Sequence, residues 1–96
     1  MHVMKRGLFV LMILLSACAA KPPVQEMSNA RSAIKAAQDL PGSSQRSEVY
    51  LKSAETALEE AAEAIRLEHY ETARGKALEA KRNAQAAARI KQSTKQ

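Results

Sequence analysis

The chain has 96 residues, 15 Lys+Arg against 10 Asp+Glu for a net charge of +5, one cysteine, no tryptophan, two tyrosines and one phenylalanine. That length supports one small domain at most, and a lone cysteine rules out an intrachain disulfide. A basic balance can signal nucleic acid or a membrane surface, but no stacking aromatics are interleaved among the bases, which argues against nucleic acid as a partner.

Lys5 and Arg6 precede an apolar run from Leu8 to Leu15, and small residues follow it. This is the charged n-region, short h-region and small-residue end of a secretory signal peptide. The stretch from Gly7 to Ala20 is shorter than the about 20 apolar residues that a bilayer span takes. The run closes on Leu15-Ser16-Ala17-Cys18, which resembles the bacterial lipobox of an aliphatic residue, two small residues and a cysteine. The resemblance implies that Cys18 becomes a thioether to diacylglycerol, that the chain is cut before it, and that the new amine is acylated. A thiolate is nucleophilic enough for such chemistry near neutral pH, and small side chains at Ser16 and Ala17 leave the scissile bond open to a peptidase. An ordinary A-x-A-like cleavage site beside an incidental cysteine is the competing reading, and it uses fewer of the same positions. Ala19 stands where an aspartate commonly retains such lipoproteins in the inner membrane of two-membrane bacteria. The resemblance therefore implies the outer membrane, with the chain lipid-anchored on the periplasmic face. No cofactor is expected beyond the covalent lipid on Cys18.

Loss of Lys5 and Arg6 with the leader lowers the net charge from +5 to +3. Alanine then supplies most apolar side chains and buries little area each. At about 25 cal/mol per Å² of apolar surface, such a core is thin for a small domain. Close helix approach, self-association or a partner must supply the rest.

Lys21-Pro22-Pro23-Val24-Gln25 reads as a tether, because paired prolines favour an extended polyproline conformation. A first helix is predicted to begin near Ser28 or Asn29, both good N-cap residues. Its stripe is Ala30, Ala33, Ile34, Ala37 and Leu40, at three- and four-residue spacing. Leu40-Pro41-Gly42-Ser43-Ser44 ends it. A second helix is predicted from an N-cap at Ser47, with Glu48 in the first turn favoured by the helix dipole. Its stripe is Leu51, Ala54, Leu58, Ala61 and Ile65. Continued in phase, that stripe would fall on Glu68, Thr72 and Gly75. A new one opens instead at Tyr70 and runs through Ala73, Ala77, Ala80, Ala84 and Ala87. The phase jump predicts a tight turn around Leu67-Glu68-His69, although no glycine or proline marks it. The alternative is one helix of about 45 residues in a coiled coil with a stutter.

Charge favours the turn. Residues 48–71 carry seven acids against Lys52 and Arg66, and residues 74–95 carry seven bases against Glu79. Antiparallel helices of opposite sign attract along their flanks, although exposed pairs contribute only about 0–1 kcal/mol each. The expected organisation is a leader at 1–17, lipidated cysteine and tether at 18–27, an alanine-rich helical domain at 28–92 and a polar tail at 93–96. The fold class is all-α, a helical hairpin or small three-helix bundle. The expected packing residues are Leu51, Ala54, Leu58, Ala61, Ile65, Tyr70, Ala73, Ala77 and Ala80. Tyr70 is expected to pack across the turn.

The residues that could carry chemistry are few. Outside the leader there is one histidine, His69, and the cysteine is consumed by lipid, which leaves no Cys/His nucleophile pair and no His/Cys metal cluster. Glu59, Glu60 and Glu63 read as a solvated helix face, and His69 as a surface residue at a turn. No catalytic residue, metal ligand or enzymatic activity is expected.

The run His69-Tyr70-Glu71-Thr72-Ala73, followed by Ala77 and Ala80, resembles the second-helix signature of tetratricopeptide repeats. Only one such helix pair is present, whereas peptide-binding solenoids stack at least three. The order of lipobox, short alanine-rich helix, Pro-containing break, Leu/Ala helix, tyrosine and Ala-xxx-Ala-xx-Ala helix looks like small alanine-rich bacterial outer-membrane lipoproteins. These form a domain-of-unknown-function family, sometimes joined to OmpA-like domains. Leu40-Pro41-Gly42 replaces that family's Ala-Pro before the second helix. The resemblance implies a non-enzymatic cell-envelope lipoprotein with a structural or adaptor role. Its partners would be the membrane through the lipid, and an envelope protein or peptidoglycan. Two other readings compete: an oligomeric coiled-coil lipoprotein associated with peptidoglycan, and an accessory or inhibitor subunit of a periplasmic enzyme. The terminal Lys95-Gln96 differs from the terminal lysine through which the murein lipoprotein is attached to the wall.

Overall fold

The computed structural model describes residues 21–93, so the leader, the lipobox with Cys18, and residues 94–96 lie outside the described residues. Three helices follow one another: α1 Val24–Asp39, α2 Gln45–Arg66 and α3 Tyr70–Ser93. The fold is a small all-α three-helix bundle, and the chain turns between α2 and α3 where the hydrophobic phase jumps.

Each helix boundary has a local cause. α1 starts at Val24, before the expected Ser28 or Asn29, and its N-cap is Pro23, which offers no side-chain cap. Proline is tolerated at a helix start, because the first N–H groups have no intrahelical partner anyway. The Pro23 carbonyl accepts the Met27 N–H at 3.0 Å, and Pro23 is fully buried. Ser28 and Asn29 lie exposed within the helix, where Gln25 Nε2 donates to Asn29 Oδ1 at 2.9 Å. The tether expected over Lys21–Gln25, and the linker over 18–27, are therefore shorter than the sequence suggested.

α1 ends as expected. Leu40 is extended before Pro41, and Gly42 takes a φ of 91° that favours glycine. The N-cap of α2 is Ser44 rather than Ser47. The two serines form a reciprocal capping box, with Ser47 N–H donating to Ser44 Oγ at 3.1 Å and Ser44 N–H to Ser47 Oγ at 2.9 Å. Serine thus fills the position more often held by Glu or Gln.

The turn at 67–69 is a Schellman motif. His69 N–H donates to Ala64 O at 2.8 Å and Glu68 N–H to Ile65 O at 2.9 Å, which satisfies two of the last α2 carbonyls. Glu68 occupies the left-handed position, at a φ of 61°, where glycine is usual. α3 then runs through Ser93, past the expected limit at 92, and Ser93 Oγ donates to Ile90 O at 2.8 Å.

The core is a stack of layers, each with one residue from each helix: Met27–Ala61–Ala77, Ala30–Ala57–Ala80, Ile34–Ala54–Ala84 and Ala37–Leu51–Ala87. Numbers rise together in α1 and α3 and fall in α2, so α2 is antiparallel to the other two. The 3-4-3 spacing on α1 and α3 is a heptad seam. α3 gives alanine to every layer, and most of the packing is made by α3 against its two neighbours; α1 and α2 touch least. Small side chains let helix axes approach toward the short end of the about 8–10 Å range. That closeness is how a chain with so few large side chains builds a core.

The α2 stripe differs from expectation. Leu51, Ala54 and Ala61 are buried, but Ala57 and Ala64 take the central positions, and Leu58 and Ile65 lie one residue further round, half-buried. Leu58 packs against three successive layers and Ile65 against the first. Both large side chains lie at the seam between α1 and α2, the pair of helices in least contact.

Candidate functional site

The layers continue past both ends of the stack, with different chemistry. Four residues before Met27 is Pro23, in register with Ala64 and Ala73, and all three are buried. Tyr70, half-buried, opens α3 beside this end. This apolar closure, here the near end, lies where the described chain begins. At the opposite, far end the buried residues in register are Ser47 and Lys91. Lys91 is only 4% exposed, and its ammonium donates to Ala37 O at 2.8 Å and Leu40 O at 3.1 Å. Both carbonyls lie at the C-terminal end of α1, the negative end of the helix dipole, where Ala37 O also accepts the C-cap Leu40 N–H at 3.3 Å. The lysine stem lies in the core while its head caps a neighbouring helix.

Ion pairs are more numerous in the near half, and toward the far end Lys35 pairs with Asp39 at 3.8 Å. In the near half Arg66 pairs with Glu63, Arg74 with Glu26 at 3.7 Å and Glu71 at 3.1 Å, and Lys76 with Glu60 at 3.5 Å and Glu79 at 3.4 Å, while Lys21 and Arg31 make no ion pair among the described residues. The hydrogen bond from Arg66 holds the Glu63 carboxyl below its ordinary value, and Glu63 in turn raises Arg66. The charge of Glu60, with Glu79, raises the Lys76 ammonium. Toward the far end Lys81, Arg82 and Arg89 on α3 make no ion pair among the described residues. The expected attraction between acidic α2 and basic α3 is thus realised in one direct pair, Glu60–Lys76.

Shallow clefts follow the helix seams among the described residues, including one at the far end beside Gln38, Leu51 and Lys91. One between α2 and α3 is lined by Tyr50, Ser53, Thr56, Glu60, Glu79 and Asn83, among others. One between α1 and α2 is lined by Ile34, Leu58 and flanking charges. Another, of about 310 Å³ and lined mainly by apolar groups, lies at the near end between Pro22, Val24, Met27, Arg31, Ala62 and Ile65.

The residues expected to matter are distributed as follows. Ala73, Ala77 and Ala80 are buried on α3 with Leu51, Ala54 and Ala61 on α2, whereas Tyr70 lies at the edge of the core. Glu59, Glu60 and Glu63 are exposed on α2, and His69 is exposed in the turn. Among the described residues no group of acidic, His or Cys side chains could hold a metal ion, and no helix is long and apolar enough to cross a membrane. Sequence reasoning missed Pro23, Met27 and Lys91. Met27 lies three residues before Ala30 and Lys91 four after Ala87, so the heptad spacing itself was the available signal. Compared with known protein families, with curated proteins and with solved structures, the chain matches none.

Proposed function

We propose that this chain is a lipid-anchored, non-enzymatic component of the bacterial cell envelope, held in the outer membrane through Cys18 and facing the periplasm. There it serves as a structural or adaptor element. The observation that carries the reading is the lipobox Leu15-Ser16-Ala17-Cys18, which stands six residues before the first helix. The likeness to small alanine-rich outer-membrane lipoproteins belongs to the same proposal. An adaptor needs a surface for its partner, and Lys81, Arg82 and Arg89, left without ion pairs, suit an anionic one. The coiled-coil alternative has less support, since α2 and α3 fold back on each other.

The test is metabolic labelling with palmitate. Wild type should incorporate label and fractionate with the outer membrane. Cys18→Ser should lose the label and accumulate as uncleaved precursor, because a serine hydroxyl is not the nucleophile that a thiolate is and cannot form the thioether. Unlabelled wild type, or a Cys18→Ser chain that still fractionates as a mature membrane protein, would refute the anchor.

A further inference from the structure

The near end of the bundle has the features of a surface that meets lipid. Two of the most exposed large aliphatic side chains are found there: Val24, 69% exposed, and Leu67, 50% exposed. Of the other two, Leu78 lies mid-way along α3, and Val49, 60% exposed, lies early in α2 toward the far end. Val24 shares the apolar near-end cleft with Pro22, Met27 and Ile65, two residues before Leu67. Leu67 is presented by a turn that holds Glu68 in the left-handed region at a φ of 61°. Of the arginines nearby, Arg66 is paired with Glu63 and Arg74 with Glu26 and Glu71, whereas Arg31 in the cleft makes no ion pair among the described residues.

Chain length restricts what this end can face. Six residue steps separate Cys18 from Val24, which at about 3.3–3.6 Å per step span at most about 22 Å even when fully extended. A lipidated Cys18 lies at the headgroup level, so the start of α1 is kept within that distance of it. Because α2 ends and α3 begins at the same end, the Leu67–His69 turn is held there too.

We propose that the end carrying Val24, Ile65 and Leu67 is a membrane-contact surface, seated on the phospholipid bilayer that holds the Cys18 anchor. The Gly42 loop then points away from the membrane. This inference rests on the lipoprotein reading above. The contact is led by the exposed apolar side chains, with Lys21 and Arg31 beside them as cations that make no ion pair among the described residues. It should therefore persist in zwitterionic lipid and at raised salt, which screens charge-driven membrane binding.

The experiment uses lipidated mature protein, purified from membranes and reconstituted into phosphatidylethanolamine/phosphatidylglycerol vesicles. His69→Cys and Val49→Cys receive an environment-sensitive fluorophore. In wild type Cys18 is blocked by its thioether and takes no label. The two positions lie about 27 Å or more apart along α2, counted from 49 to 67 at 1.5 Å per residue. Headgroup-attached nitroxide lipids should quench position 69 several-fold more strongly than position 49. Val24→Ser with Leu67→Ser should remove most of that difference while circular dichroism stays unchanged. Equal quenching at both positions in protein that floats with vesicles overturns the contact and leaves the anchor standing. So does a difference that survives the double substitution. Protein that takes label at Cys18 and does not float overturns both.

Discussion

The two ends of the bundle close the same stack of alanine layers by opposite means. At the near end the closing residues are Pro23, Ala64 and Ala73, with Val24 and Leu67 left in solvent. At the far end they are Ser47, held in a capping box, and Lys91, hydrogen-bonded to the carbonyls that finish α1. The apolar end has little to gain from water, whereas the polar end is self-sufficient in it. The difference shows that similar helix packing can be terminated to suit two surroundings, and that the ends, more than the sides, give this bundle its polarity.

The largest effect should come from the close packing that both ends share. Ala77 is fully buried in the first layer, against Met27 and Ala61, so Ala77→Leu forces a large side chain between helices that alanine allows to approach. It should destabilise by about 3 kcal/mol, read as a lower melting temperature of residues 19–96 by circular dichroism. A melt coinciding with wild type would mean that the layers are loose.

Lys91→Met should cost less, about 2 kcal/mol. The stem is retained, but the Ala37 and Leu40 carbonyls lose a charged donor. Its signature is local. Amide exchange should accelerate in the last turn of α1 and the first of α2, with the Leu67–His69 turn unaffected. Uniform acceleration would show that the two ends are not independently closed.

The smallest change has the opposite sign. Glu68→Gly relieves a left-handed residue and should stabilise by about 0.5–1 kcal/mol, the strain removed less the backbone entropy of glycine. If it destabilises, the glutamate side chain contributes a contact that outweighs its backbone.

Much of this was legible in the sequence. The Leu40-Pro41-Gly42 break and the phase jump between Ile65 and Tyr70 both mark real turns, the second without any turn-forming residue. Periodicity detects a turn by what it does to the buried face, not by which residue makes it. The start of α1 was misplaced because Ser28 and Asn29 have cap chemistry, while proline reads as a breaker until its place at a helix start is considered. Leu58 and Ile65 were assigned to the centre of the stripe on hydrophobicity, yet three closely packed helices have room there only for Ala57 and Ala64. Lys91 was hidden for a different reason: a charged residue at a core position is legible only once the carbonyls it caps are in place. The near-end surface was not legible at all, since Val24 was read as tether and Leu67 as turn.

The number of helices sets where the chain goes next. With an even number, a hairpin would return its last residues to the level from which it set out. Three helices do not: α1 and α3 run the same way, and the 24 residues of α3 rise by about 36 Å at 1.5 Å each. Ser93 therefore lies at the end opposite the one that α1 enters. Under the proposed Cys18 anchor, that parity would make the bundle a spacer, with Ser93 held clear of the bilayer by about the length of α3.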